Sequence, residues 1–232
     1  WSPEQIAGRL AAQGGLRLSP ERIYQHIRAD RQAGGTLYRH LRHRQKKRKK
    51  RYGKPDARGQ IKDQTRIDQR PTVVGEKSRI GDGEIDRVMG GKGQGALVSL
   101  VERRSRYTLL GKVASKQAEE VASKTIGVLA PHKEYTETIT ADNGKEFAHH
   151  TAISQALDAA VYFAHPYHAW ERGLNENTNG LIRQYVPKGT AVDSLSEEQV
   201  HHIRDRLNHR PRKGLAFETP HEILARETGL HP

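Results

Sequence analysis

"TETITADNGKEFAHHTAISQALDAAVYFAHP", residues 136–166, decides the fold. "TETITADNG" (136–144) reads as a strand closed by a turn, "KEFAHHTAISQALDA" (145–159) as a helix and "AVYFAHP" (160–166) as a second strand. Upstream, "GEIDRVMG" (83–90) is a short strand. "GALVSLVERR" (95–104) and "RYTLLGKVA" (106–114) are two strands joined by a turn at Glu102–Ser105. "SKQAEEVASKTIGVLAPH" (115–132) is a helix, with Ser115 as cap and Pro131 as stop. Downstream come a helix through Glu176, ended by Pro187, and a helix over "SEEQVHHIRDRLNHRP" (196–211) opened by the cap Ser196.

The order is three strands, helix, strand, helix, strand and two helices. A meander followed by alternating helix and strand implies an α/β class with a mixed sheet and helices on its faces. That is the order of the ribonuclease-H-like fold. Three carboxylates fall where such a sheet could gather them. Asp86 lies inside the first strand, where a charge needs a reason. Asp142 closes the strand in "TADNG", and Glu176 opens the late helix, with 33 residues between them. That is room for a turn, a helix, a strand and a return to the same sheet edge.

Each acid also has an ordinary reading. Asp-Asn-Gly is a common turn sequence. Glu176, in a first turn behind the cap Asn175, complements the helix dipole. Asp86 can pair with Arg87 or Arg106. Around the late helix, Leu174, Thr178, Leu181 and Tyr185 form one stripe, and Glu176, Asn179, Gly180 and Arg183 lie roughly opposite. The conjunction of the three acids is what favours chemistry. Carboxylates gathered in a basic protein repel one another unless a cation joins them, and hard oxygen ligands select Mg²⁺, with Mn²⁺ as substitute. Two such ions, roughly 3.5–4 Å apart, form the two-metal arrangement for phosphodiester chemistry.

Charge supplies the substrate class. Net charge is +13 over 232 residues, and residues 34–58 carry +10 of it, eleven Lys/Arg against Asp56. Lys46, Lys47, Arg48, Lys49, Lys50 and Arg51 are its centre. Clustered cations of this kind bind phosphate backbones by releasing counterions. No amphipathic apolar face accompanies the strip and no stretch approaches the roughly 20 apolar residues of a membrane span, so DNA is favoured over membrane. The absence of cysteine excludes disulfides and thiolate zinc sites and fits a reducing, cytoplasmic setting.

The N-terminus repeats itself: "SPEQIAGRL" begins at Ser2 and "SPERIYQHI" at Ser19, each with Ser as cap, Pro at the first helical position and Glu in the first turn. With "QGGLRL" between them they read as helix-turn-helix, the second helix turning Arg22, Gln25 and Arg28 outward and Ile23 and Ile27 inward. The domains expected are a helix-turn-helix unit over 1–33, a basic flexible linker over 34–75 and a catalytic core over 76–232.

"TADNGKEFA", "WERGLNENTNGLIRQYVPKGT" and "LNHRPRKGLAFETPHEIL" closely resemble the catalytic core of insertion sequence 30 family transposases. "GALVSLVERRSRYTLL" fits the same pattern, and the match covers roughly residues 76–225. The resemblance implies an integrase-type core with Asp86, Asp142 and Glu176 as metal-binding catalytic triad. It implies helix-turn-helix recognition of terminal inverted repeats, cleavage and joining of DNA strands, and a nucleoid-associated bacterial protein. It implies also that a further N-terminal helix pair of full-length members is missing. Gly83 stands where the family usually has Trp, and Arg87 where a small or apolar residue is usual. Asn143, Lys145, Asn175, Asn177, Arg183 and Lys188 flank the acids and are candidate DNA contacts; Lys188, Arg210, Arg212 and Lys213 form a second basic group. Trp170 reads as a packing anchor. The pairs His149–His150 and His201–His202 read as surface residues, since adjacent helical residues share no face. Synapsis of two DNA ends, terminal repeats or target, suggests a homo-oligomer. The alternatives are a transposase-derived DNA-binding protein or repressor, and a general nuclease of the same fold.

Overall fold

A computed structural model describes residues 1–42, 61–91, 93–115, 117–166 and 168–229, with Ala169 and Trp170 described in backbone only. The basic run Lys46–Arg51 and the Trp170 side chain therefore lie outside the described residues. The chain divides into two compact units, Trp1–Ala57 with Arg210–Thr219, and Arg58–His209 with Pro220–Pro232.

In the first unit, α1 (Pro3–Ala12) opens on a capping box: Ser2 accepts from the Gln5 amide, and the Gln5 side chain accepts from the Ser2 amide. Helix α2 (Pro20–Gln32) opens on Ser19, whose hydroxyl accepts from the Arg22 amide. Arg22, Gln25 and Arg28 are exposed, and Ile23 and Ile27 are half-buried. The segment Arg210–Thr219 packs on α1. A Cβ at Gly8 would meet the Phe217 ring at 2.4 Å, so only glycine admits that ring. Arg210 Nε donates to Gln5 Oε1 at 2.9 Å, and Lys213 Nζ pairs with Glu4 Oε1 at 2.7 Å. Arg210 and Arg212 are 7% and 6% exposed, which corrects half of the second basic group: these two arginines are buried, while Lys188 and Lys213 are exposed.

The second unit is built on five strands: β1 (Asp82–Met89), β2 (Ala96–Glu102), β3 (Thr108–Val113), β4 (Thr138–Ala141) and β5 (Ala160–Phe163). Their order is β3-β2-β1-β4-β5, antiparallel at β1–β2 and β2–β3, parallel at β1–β4 and β4–β5. This is the ribonuclease-H-like arrangement. All seven residues of β2, "ALVSLVE", are buried, as a strand covered on both faces requires. Helices α4 (Ala118–Leu129), α5 (His150–Leu157), α6 (Gly173–Ile182), α7 (Glu197–Asn208) and α8 (Pro220–Thr228) supply the cover. Strand alternation sorts the core into two layers. Ile85, Val98, Leu100 and Leu109 pack with α4, α5 and Leu224 of α8. Val88, Leu97 and Leu110 pack with Leu181 and Ile182 of α6 and Val200, Ile203 and Leu207 of α7. On β1 the even positions Glu84, Asp86 and Val88 thus share the face that α6 covers. The edge of β3 is closed by Asn208 of α7, which accepts from the Thr108 amide at 2.8 Å and donates to its carbonyl at 2.9 Å.

Three local expectations are corrected. Residues 61–75 are built into this unit: Ile61 joins the core, Thr65 O accepts from the Phe163 amide at 2.9 Å, and Val74 of α3 (Thr72–Glu76) is fully buried. Helix α4 starts behind Gln117 instead of Ser115, whose hydroxyl donates to Glu120 at 2.6 Å, and Pro131 sits inside a following 3₁₀ segment, Ala130–Tyr135. His150 is buried against Phe163, its ring edge-on at 5.0 Å.

Candidate active site

The parallel register of β1 and β4 pairs Asp82 with Thr138 and Glu84 with Thr140. Carried two residues further, it sets Asp86 beside Asp142, just past the end of β4. The two carboxylates share one cation. Arg172 Nη1 lies 3.7 Å from Asp86 Oδ2, and Arg172 Nη2 lies 3.3 Å from Asp142 Oδ2. The same guanidinium donates to the Ile85 carbonyl at 3.2 Å. Backbone amides fix the other carboxylate oxygens: Arg87 N donates to Asp86 Oδ1 at 2.7 Å, and Gly144 N to Asp142 Oδ1 at 2.9 Å. Burial pushes the Asp86 carboxyl above its ordinary range, and Arg172, the Arg87 amide and Asn179 pull it back against a further push from Asp142. The Arg87 side chain pairs with Glu146 at 3.0 Å, so it is not the partner of Asp86.

Helix α6 reaches this pair through Asn179 of its second turn, and Arg172 stands just ahead of it. Asn179 Nδ2 donates to Asp86 Oδ2 at 2.8 Å while its Oδ1 accepts from Ser99 Oγ at 3.0 Å. Arg172, the residue before α6, lies one turn ahead of Glu176, and Asn179 three residues after it. Residues three apart share a helix face, so Glu176 lies on the same face of α6 as Asn179, one turn nearer the N-terminus. Glu176 is exposed. Among the described residues, the oxygens of Asp86, Asp142 and Glu176 do not all come within 4.8 Å of one another.

The helix itself is anchored by a buried acid. Glu84, 1% exposed, accepts from the Asn175 amide in the first turn of α6 at 3.1 Å and pairs with Arg103, 6% exposed. Arg103 Nε also donates to the Val74 carbonyl at 3.0 Å. One carboxylate thus ties β1, α6 and the turn after β2.

Comparison of the sequence with known proteins places the chain in a family. The chain is 44% identical over 222 residues to the transposase for insertion sequence element IS4351 of Bacteroides fragilis, an alignment spanning 96% of the chain and 68% of that protein. It is 36% identical over 240 residues to transposase InsI for element IS30A of Escherichia coli, spanning 99% of the chain and 62% of that protein. The chain belongs to the insertion sequence 30 family of transposases. No protein-family model matches it. A chain of the simian T-cell lymphotropic virus intasome superposes with a TM-score of 0.46 at 18% identity, over 56% of this chain and 49% of that one.

The candidate DNA contacts of the transposase separate into two groups. Lys145, Asn177 and Lys188 are exposed, as are Arg22, Gln25 and Arg28, the last paired with Glu21 at 2.9 Å. Three others are engaged inside the fold. Asn143 accepts from Gln64 at 2.7 Å and donates to the Ala164 carbonyl. Arg183 donates to the Met89 carbonyl at 2.7 Å. Asn175 is fully buried and does not cap α6, whose N-cap is Arg172, so neither the cap nor the DNA contact expected of it is met. Sequence reasoning passed over Arg172, Asn179 and Glu84 as site residues. A signal existed for two of them: Asn179 shares the Glu176 face of the helix, and Glu84 precedes Asp86 by the two residues that define one strand face.

Among the described residues, no helix is long and apolar enough to cross a membrane.

Proposed function

We propose that this transposase cuts and joins DNA strands at the terminal inverted repeats of its element, as a metal-dependent polynucleotidyl transferase. One observation carries the reading: Asp86 on β1 and Asp142, just past the end of the neighbouring parallel strand β4, share a single guanidinium, at 3.7 and 3.3 Å. Two carboxylates that converge on one cation, with hard oxygens, fit Mg²⁺ or Mn²⁺. Asp86 and Asp142 would hold the ions, and Glu176 would complete the set. Two ions bound there supply charge to the attacking and leaving oxygens of an in-line displacement.

The protein's own part is positional. The Arg87 and Gly144 amides and the Asn179 amide group hold the two carboxylates in fixed orientations. Glu84 holds the first turn of α6 over β1. Lys145, Asn177 and Lys188 are exposed and take DNA phosphates. Arg22, Gln25 and Arg28 on α2 read the inverted repeats, and the basic run Lys46–Arg51 binds the backbone without reading sequence. Joining two ends calls for a dimer or larger assembly.

Asp142→Asn in a Mg²⁺-dependent nicking assay on inverted-repeat duplex, with EDTA as control, tests the proposal. Nicking is expected to vanish while duplex binding remains. Full nicking by the variant would remove Asp142 from the role. A second reading, a transposase-derived DNA-binding protein without cleavage, draws on the three acids' lying further apart than common ligands of one ion. Repeat binding without Mg²⁺-dependent nicking by the unaltered chain would establish it.

A further inference from the structure

The segment from β5 into α6 carries a second set of metal-ligand side chains that the Asp86–Asp142 pair does not use. The ligand atoms of His165, His168 and Glu171 all lie within 4.8 Å of one another. Glu171 Oε1 is 3.0 Å from His165 Nδ1 and 3.2 Å from His168 Nδ1. With metal–ligand bonds of about 2.0–2.1 Å, the donors of a tetrahedral zinc site stand roughly 3.3 Å apart. These two edges already have nearly that length. A separate observation comes from a distant part of the sequence: Asp68 Oδ2 lies 2.9 Å from His165 Nε2. A metal-bound imidazole whose other ring nitrogen is held by a carboxylate is the common outer arrangement of zinc histidines. The side chains of His165, His168 and Glu171 are 30%, 42% and 17% exposed, which leaves an entry path for an ion.

We propose that His165 Nδ1, His168 Nδ1 and Glu171 Oε1 bind one divalent ion of the zinc class, with Asp68 orienting His165 from outside. Mixed imidazole and carboxylate donors select such a borderline ion over Mg²⁺. Three protein ligands leave one tetrahedral position open. The ion's role is structural: Glu171 immediately precedes Arg172, so fixing Glu171 fixes the approach of the guanidinium shared by Asp86 and Asp142. The competing state is metal-free, with a doubly protonated His165 paired to Glu171 and Asp68.

Calorimetric titration with ZnCl₂ of the chain and of its His168→Ala, Glu171→Gln, Asp68→Asn and Asp142→Asn variants tests this, alongside Co²⁺ absorption. Saturable binding of one Zn²⁺ per chain is expected, with the ligand-field bands of tetrahedral Co²⁺. Binding should disappear in His168→Ala, weaken roughly 10–100-fold in Asp68→Asn and stay unchanged in Asp142→Asn. Asp68→Asn serves as the mildest change, should ligand variants fail to fold. Absence of saturable binding, full affinity in both His168→Ala and Glu171→Gln, or loss only in Asp142→Asn would each overturn the proposal.

Discussion

Replacing Arg103 with Met should separate the anchor of α6 from the rest of the core. Arg103 is 6% exposed and is the counter-ion of Glu84, which is 1% exposed. Met keeps the apolar stem and removes the charge. Removing one partner of a buried pair costs about 3–5 kcal/mol, because the remaining charge is left uncompensated. The Val74 carbonyl also loses its donor, which adds about 1 kcal/mol. Glu84 keeps the Asn175 amide, so the lower end of that range applies.

The pH dependence gives the sharper check. Burial already pushes the Glu84 carboxyl above its ordinary value, and Arg103 pulls it down. Without Arg103 it rises further. A carboxyl that holds its proton more tightly when folded favours folding at acid pH. That advantage is lost as pH climbs from the unfolded value, about 4.3, through the folded one. The deficit of Arg103→Met should therefore be largest near pH 8 and shrink on acidification. The deficit changes between the folded value of Glu84 in the parent chain and the higher one in the variant, where its slope approaches about 1.4 kcal/mol per pH unit. Urea unfolding followed by circular dichroism between pH 5 and 8 measures it. Adding Glu84→Gln should recover most of the neutral-pH loss, since no buried charge then remains. A deficit below about 1 kcal/mol at pH 7, or one that does not change with pH, would refute the role assigned to this pair.

Gly83→Ala should stabilise the second unit by about 0.4–1 kcal/mol, read as a higher urea midpoint. Gly83 is buried in β1 without a left-handed φ, and an added Cβ would meet Leu100 at an ordinary 3.4 Å, beside a cavity of about 40 Å³. A lowered midpoint would mean that the space is not available. Lys188→Ala should weaken DNA binding across sequences and reduce the slope of log affinity against log salt by about 0.9 for the one phosphate contact removed. An unchanged slope would take Lys188 off the DNA.

Much of this was legible in the chain. The succession of strands and helices along the chain followed from apolar runs such as "GALVSLV" and from the strand–helix–strand segment 136–166, because periodicity and turn residues are local signals. Capping residues such as Ser2, Ser19 and Ser196 marked helix starts correctly for the same reason. The basic strip and the three acids were equally visible, as was the family motif.

Other features depended on contacts between residues far apart in sequence. Arg70 reads as part of a polar linker, yet it donates to Thr140 at 2.9 Å beside the sheet. Arg210 reads as a DNA contact, yet it is spent on Gln5, 205 residues away. Asn175 reads as a cap, and only the packing of α6 on β1 shows it buried. Sequence alone marked the five strands, the helices α1, α2, α4, α5, α6 and α7 and the candidate acids, since those depend on neighbours a few residues off; it did not show α3, α8, the start of α4 or the end of α6. Tertiary structure alone decided that Arg172 joins Asp86 to Asp142, that Asn179 reaches Asp86 and that Glu84 carries α6. Those pairings arise from strand register and helix docking, which no local pattern encodes.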